Sequence, residues 1–113
     1  MATMGGMTAI HQFCAIGELS ITGGLTKVTQ DVPPFVTADG NPVTPRGVNK
    51  IGLERNHVSP EETRNVEQAY RIFYRSHLTA KEALARLESE LGDSPAARKF
   101  AEFIRNSKRG VCR

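Results

Sequence analysis

A chain of 113 residues holds one domain of ordinary size, or one domain with a remnant of another. With 39% hydrophobic and 24% charged residues it has enough apolar content to bury a core, which excludes wholesale disorder. Its longest apolar runs are a few residues, far short of the roughly 20 that cross a bilayer, and a net charge of +3 is too weak to point to nucleic acid. No secretory signal pattern follows Met1. A cytoplasmic location is expected, with Cys14 and Cys112 as free thiols and with no metal site or cofactor.

The first stretch is rich in Gly, Thr and β-branched residues. Met4, Ile10, Ile16, Thr22 and Val28 recur every six residues, with Gly5, Gly17 and Gly23 each following one of them. An aliphatic residue at the head of each hexad is the pattern of a parallel β-helix, in which a hexad makes one flat strand and a corner and three hexads close a triangular coil. Thr22 is the weakest fit. On spacing alone a Gly-rich hairpin region stays open as an alternative. Five hexads make fewer than two coils, so the upper end of such a stack is expected to leave first-position side chains and strand edges uncovered.

The stretch from Val32 to Gly47 carries Pro33, Pro34, Gly40, Pro42 and Pro45. It is expected to be neither a regular helix nor a central strand. Residues 1–34 are thus assigned to truncated β-helix coils, residues 35–58 to a linker or extended loop, and residues 59–113 to a helical domain.

Three helices follow with clear punctuation. Ser59-Pro60-Glu61-Glu62 supplies an N-cap serine, a proline at the first helical position and a glutamate three after the cap. Val66, Ala69, Tyr70 and Phe73 then form an apolar stripe. Thr79-Ala80-Lys81-Glu82 opens a second helix with Leu84, Leu87 and Leu91 inward, and Gly92 ends it. Ser94-Pro95 opens a third, whose apolar face is Ala97, Phe100, Ala101 and Ile104. On the first helix Arg64, Arg71 and Arg75 fall within about 40° of one another, opposite Val66, Tyr70 and Phe73. Such a stripe suits a strongly acidic partner; a solvated face on a basic protein is the plainer alternative.

Specific strings mark a family. Gly6-Met7-Thr8-Ala9-Ile10-His11-Gln12-Phe13-Cys14, Gln30-Asp31-Val32-Pro33-Pro34-Phe35, Gly40-Asn41, Gly47-Val48-Asn49 and Gly52-Leu53 occur in that order. Ala69-Tyr70-Arg71, Tyr74-Arg75-Ser76 and Ser107-Lys108-Arg109-Gly110 continue the match. Together they resemble the acyl-carrier-protein–UDP-N-acetylglucosamine O-acyltransferases of lipid A synthesis, over their C-terminal part. The resemblance implies a left-handed parallel β-helix followed by a small helical domain, assembled as a homotrimer with clefts between subunits. It implies transfer of a 3-hydroxyacyl chain from acyl carrier protein to UDP-N-acetylglucosamine. It also implies a general-base histidine, which in the family lies upstream of the first of these strings. Residues 1–113 alone are therefore expected to be inactive.

Carried over residue by residue, the resemblance makes His11 and Gln12 substrate-binding residues at the cleft; without it, His11 reads as a histidine on the coil surface. Gly24 falls where the family sets acyl length, and a glycine there implies a long chain of the hydroxymyristoyl kind. Asn49 and Arg55 match positions that hold the nucleotide, and a guanidinium fork suits phosphate. The basic stripe of Arg64, Arg71 and Arg75 would dock acyl carrier protein. Four positions depart from the family: Pro42 replaces a histidine, Ile51 an acidic residue, Asn56 a second arginine and His57 a glycine. The alternative to a transferase fragment is a non-enzymatic module for trimerisation or carrier-protein binding, and a further one is an enzyme using His11 or His57 as base.

Overall fold

The computed structural model describes residues 2–4, 9–10, 16–24, 27–28, 30–40, 42–108 and 110–113. Among them run β1 (Thr3–Met4), β2 (Ala9–Ile10), β3 (Ile21–Thr22), β4 (Lys27–Val28), β5 (Val36–Asp39) and β6 (Thr44–Val48), then α1 (Lys50–Arg55), α2 (Pro60–Arg75), α3 (Ala80–Leu91) and α4 (Pro95–Asn106).

The hexads stack as coils. β1 pairs in parallel with β3, Thr3 against Ile21, and β2 with β4, Ala9 against Lys27, in each case one strand against the residue three hexads further on. Parallel pairing at that offset is what a triangular coil of three hexads requires, and this is a short left-handed parallel β-helix followed by helices. The period then contracts: Ile16 pairs with Val32 and Ile21 with Thr37, two residues sooner than the hexad would place them. The first-position side chains of the last coil are accordingly Val32 and Ala38, both fully buried, beneath Ile16 and Thr22. Met4, at the head of the stack, is 51% exposed.

The proline-rich stretch differs from expectation. β5 lies between β3 and β6 in the sheet order β1-β3-β5-β6, so it is a central strand, and β6 returns antiparallel beside it. The prolines explain how. Val36-Thr37-Ala38-Asp39 is free of them, while Pro33 and Pro34 precede the strand and Pro42 sits in the turn. Pro45 is on β6, whose far side has no ladder partner among the described residues. Gly40 opens the turn with φ +100°, which a side chain would strain. Residues 35–58 are thus a hairpin and the short helix α1 where a linker was expected. Val36, Ala38, Val43 and Leu53 place this segment in one contiguous core with the helices.

The helices begin where the caps predict. Ser59 Oγ accepts from the Glu62 N–H at 3.1 Å, Thr79 and Glu82 close a reciprocal capping box, and Ser94 Oγ accepts from the Ala97 N–H at 3.2 Å. Val66, Ala69, Tyr70, Phe73, Leu87, Leu91, Ala97, Phe100, Ala101 and Ile104 are buried, and Leu84 is half-buried. Each large side chain removed from water stabilises the fold by roughly 1.5–3 kcal/mol. Gly92 ends α3 at φ −60°, not in a left-handed cap. A Cβ there would lie 2.6 Å from the Glu88 carbonyl oxygen, so close approach is what keeps a glycine.

The chain end returns to the coil. The Asp31 N–H donates to the Gly110 carbonyl (2.9 Å) and the Cys112 N–H to the Asp31 carbonyl (2.8 Å), while Ser107 Oγ donates to Asp31 Oδ2 (2.5 Å). Tyr74 Oη donates to the Cys112 carbonyl at 2.8 Å, and the Arg113 guanidinium covers the Phe73 ring at 4.5 Å and donates to the Phe73 carbonyl at 3.0 Å. These bonds strap the helices to the last coil.

Candidate functional site

The predicted site residues divide by where the chain takes them. His11 and Gln12 lie outside the described residues. Gly24 is exposed in the turn after β3. Its neighbour Gly23 donates its N–H to the Ala38 carbonyl at 2.9 Å, and a Cβ on Gly23 would press on Asp39 Cβ at 3.0 Å.

Asn49 and Arg55 bracket α1. Asn49 is only 7% exposed, and its side chain is engaged at both ends: Oδ1 accepts from the Gly52 N–H at 3.1 Å and Nδ2 donates to the Leu19 carbonyl at 2.9 Å. The Asn-x-x-Gly spacing is an N-cap signature. Arg55 is exposed on the last turn of α1.

Two of the departures, Asn56 and His57, acquire a physical explanation. Asn56 turns back, its Nδ2 donating to the Gly52 carbonyl at 2.7 Å, so it closes the helix. His57 stands at φ +61°, its N–H donating to the Glu54 carbonyl while the Val58 N–H reaches Leu53. Those two bonds form a Schellman motif, whose left-handed position favours glycine. Ile51 is 64% exposed and Pro42 is exposed in the hairpin turn; nothing in the structure explains an isoleucine at 51.

On α2, Arg64, Arg71 and Arg75 are all exposed. Arg71 and Arg75 line a groove of about 220 Å³ with Gly47, Val48, Lys50 and Tyr70. Lys50 pairs with Glu67 at 3.3 Å, and the Arg75 guanidinium lies 5.9 Å from the centre of the Tyr70 ring. Tyr70 therefore borders the basic face instead of standing opposite it. Burial pushes its phenol up, and the neighbouring Arg75 charge opposes that shift. Arg64 shares the helix face but does not line the groove. Sequence reasoning missed Lys50, because it belongs to a helix that the proline-rich composition concealed.

A larger groove, about 480 Å³, runs between the coil corners and α4, lined by Leu19, Phe35, Val58, Ala96 and Lys99 among others. It gathers none of the predicted site residues. The described residues contain no group of three or more His, Cys, Asp or Glu side chains placed to hold a metal ion. No helix among them is long and apolar enough to cross a membrane.

Residues 31–112 match the family model described as UDP N-acetylglucosamine O-acyltransferase, domain 2. An acyl-[acyl-carrier-protein]–UDP-N-acetylglucosamine O-acyltransferase from Anaeromyxobacter sp. (strain Fw109-5) is 44% identical over 108 residues, which are 96% of this chain and 42% of that protein. The protein of the same name from Herminiimonas arsenicoxydans is 43% identical over 114 residues, 97% of this chain and 44% of its own length. Among solved structures, the UDP-N-acetylglucosamine acyltransferase of Bacteroides fragilis superposes with a TM-score of 0.95 at 38% identity, covering 99% of this chain and 44% of that one. The Arabidopsis enzyme gives 0.92 at 34% identity, covering 99% and 42%. The chain belongs to the UDP-N-acetylglucosamine O-acyltransferase family. It spans about two fifths of the length of the curated relatives it matches, and corresponds to their C-terminal part.

Proposed function

We propose that this chain is the substrate-recognising end of an acyltransferase that moves a 3-hydroxyacyl chain from acyl carrier protein to UDP-N-acetylglucosamine in lipid A synthesis. The observation that carries the proposal is agreement of fold and sequence together, a TM-score of 0.95 at 38% identity over 99% of the chain. Arg55 is the phosphate contact, its guanidinium standing exposed at the end of α1. Asn49 caps the same helix. His11 and Gln12 bind the sugar, and Gly24, exposed in its turn, leaves room for a long hydroxyacyl chain. The general base is a histidine outside residues 1–113, and the working assembly is a cytoplasmic homotrimer.

Acyl carrier protein docks on the face of Arg64, Arg71 and Arg75, with Lys50 extending it. The test uses the 113-residue chain. It is expected to bind UDP-N-acetylglucosamine without transferring acyl groups, and saturable transfer from acyl carrier protein would refute the division of labour. The basic groove also favours a second reading, a carrier-binding or trimerising module with no catalytic partner. Reversal to Arg71→Glu and Arg75→Glu abolishes carrier binding under both readings; sugar-nucleotide binding separates them, being expected only of the transferase.

A further inference from the structure

Asn49 meets the protein through four atoms. Its N–H donates to the Phe35 carbonyl at 2.7 Å and its own carbonyl accepts from the Leu53 N–H at 3.1 Å. Its side chain spans the gap between Leu19 and Gly52. Leu19 and Phe35 are the same corner of successive coils: both have left-handed backbones, with φ +52° and +69°, and the Phe35 N–H donates to the Glu18 carbonyl at 2.9 Å. Asn49 thus continues a stack of corners, and from it springs α1. The fit leaves no slack. A Cβ on Gly52 would lie 2.2 Å from Asn49 Nδ2 and 2.8 Å from its Cγ, so the glycine is the space the amide occupies.

A helix of six residues has no stability of its own. Its pose comes from what holds it, here the Asn49 cap and the buried Leu53 side chain. Arg55 lies within one turn of Gly52 on that helix. We infer that Asn49 is a positioning residue, which acts on the nucleotide site by fixing α1, and hence Arg55, against the coil corners, and not by touching the ligand. The inference rests on the nucleotide reading of Arg55 proposed above.

A double-variant cycle on the 113-residue chain tests it, with UDP titrated by calorimetry and amide exchange followed along α1. Asn49→Ala is expected to weaken UDP binding about tenfold, a normal coupling for contacting residues, and to speed exchange at Gly52 and Leu53. In an Arg55→Ala background the same substitution is expected to cost nothing further. Gly52→Ala, which displaces the amide without altering Asn49, should weaken UDP equally and not add to Asn49→Ala. Asn49→Ser keeps a capping oxygen and loses the donor to Leu19 without adding charge, so it reports on the tether if Asn49→Ala fails to fold; it should weaken UDP in the same direction. Additive losses in the Asn49→Ala and Arg55→Ala pair, or UDP binding indifferent to Asn49, overturn the inference alone. Failure of the unaltered chain to bind UDP overturns the nucleotide reading, and the positioning role with it.

Discussion

Thr22 is fully buried in the stack, and its Oγ1 has no hydrogen-bond partner among the described residues. It faces the interior beside Ala38 of the next coil. Valine has the same branched shape and puts a methyl group where the hydroxyl stands. A buried hydroxyl without a partner costs about 1–3 kcal/mol in lost solvation, and an added buried methyl contributes roughly 0.8 kcal/mol more. Thr22→Val should therefore stabilise the chain by about 2–4 kcal/mol. With a melting point that shifts by about 4–8 °C per kcal/mol in a domain near this size, thermal unfolding followed by circular dichroism resolves the effect easily. Thr22→Ala supplies the control: it removes the hydroxyl and a methyl together, so it leaves a cavity and forfeits the packing gain. Valine is expected to melt above the parent and alanine below valine. A melting point lowered by valine would show that the hydroxyl is satisfied and refute the reasoning.

His57 occupies a left-handed C-terminal position at φ +61°, so His57→Gly should raise stability by about 0.5–1 kcal/mol, measured by urea unfolding. Tyr74→Phe removes the donor to the Cys112 carbonyl and is expected to cost about 1–3 kcal/mol, with amide exchange at Cys112 accelerating more than exchange in the middle of α2. Burial holds the Cys112 thiol at about 11, above its ordinary 9.0. The unfolded thiol ionises first, so its contribution is whole below pH 9 and is lost as pH rises toward 11; Cys112→Ala should flatten that part of the stability profile.

The helices could be read from the chain because their signals are local. A serine or threonine cap satisfies N–H groups two or three residues on, and an apolar stripe at helical spacing needs only one face to be buried. Ser59, Thr79 and Ser94 stand where they were expected, and Leu87, Phe100 and Ile104 point inward. The six-residue period of the coil was visible too, but spacing alone left a Gly-rich hairpin open and the family strings decided between them. The coil's contraction before Val32 was not visible, because two missing residues leave no mark until pairing shows which strand meets which. Composition also misled over residues 35–58. It counted prolines without their positions, and four proline-free residues at 36–39 suffice for a central strand.

The site divides along the same line. Helical spacing made Arg71 and Arg75 candidates and the family resemblance made Arg55 one, and a guanidinium is charged wherever it sits. What Asn49 and Asn56 do depends on which backbone groups lie within 3 Å, and an amide can serve a ligand or a helix end equally well. Only the folded chain brings Leu19 to Asn49 and Lys50 to the arginines of α2. Sequence by itself therefore determined the helices, the period of the coil and the charge, which follow from spacing and from chemistry carried by single residues. The tertiary structure decided which polar side chains are spent within the protein, because a hydrogen bond between residues thirty apart is written in no local pattern.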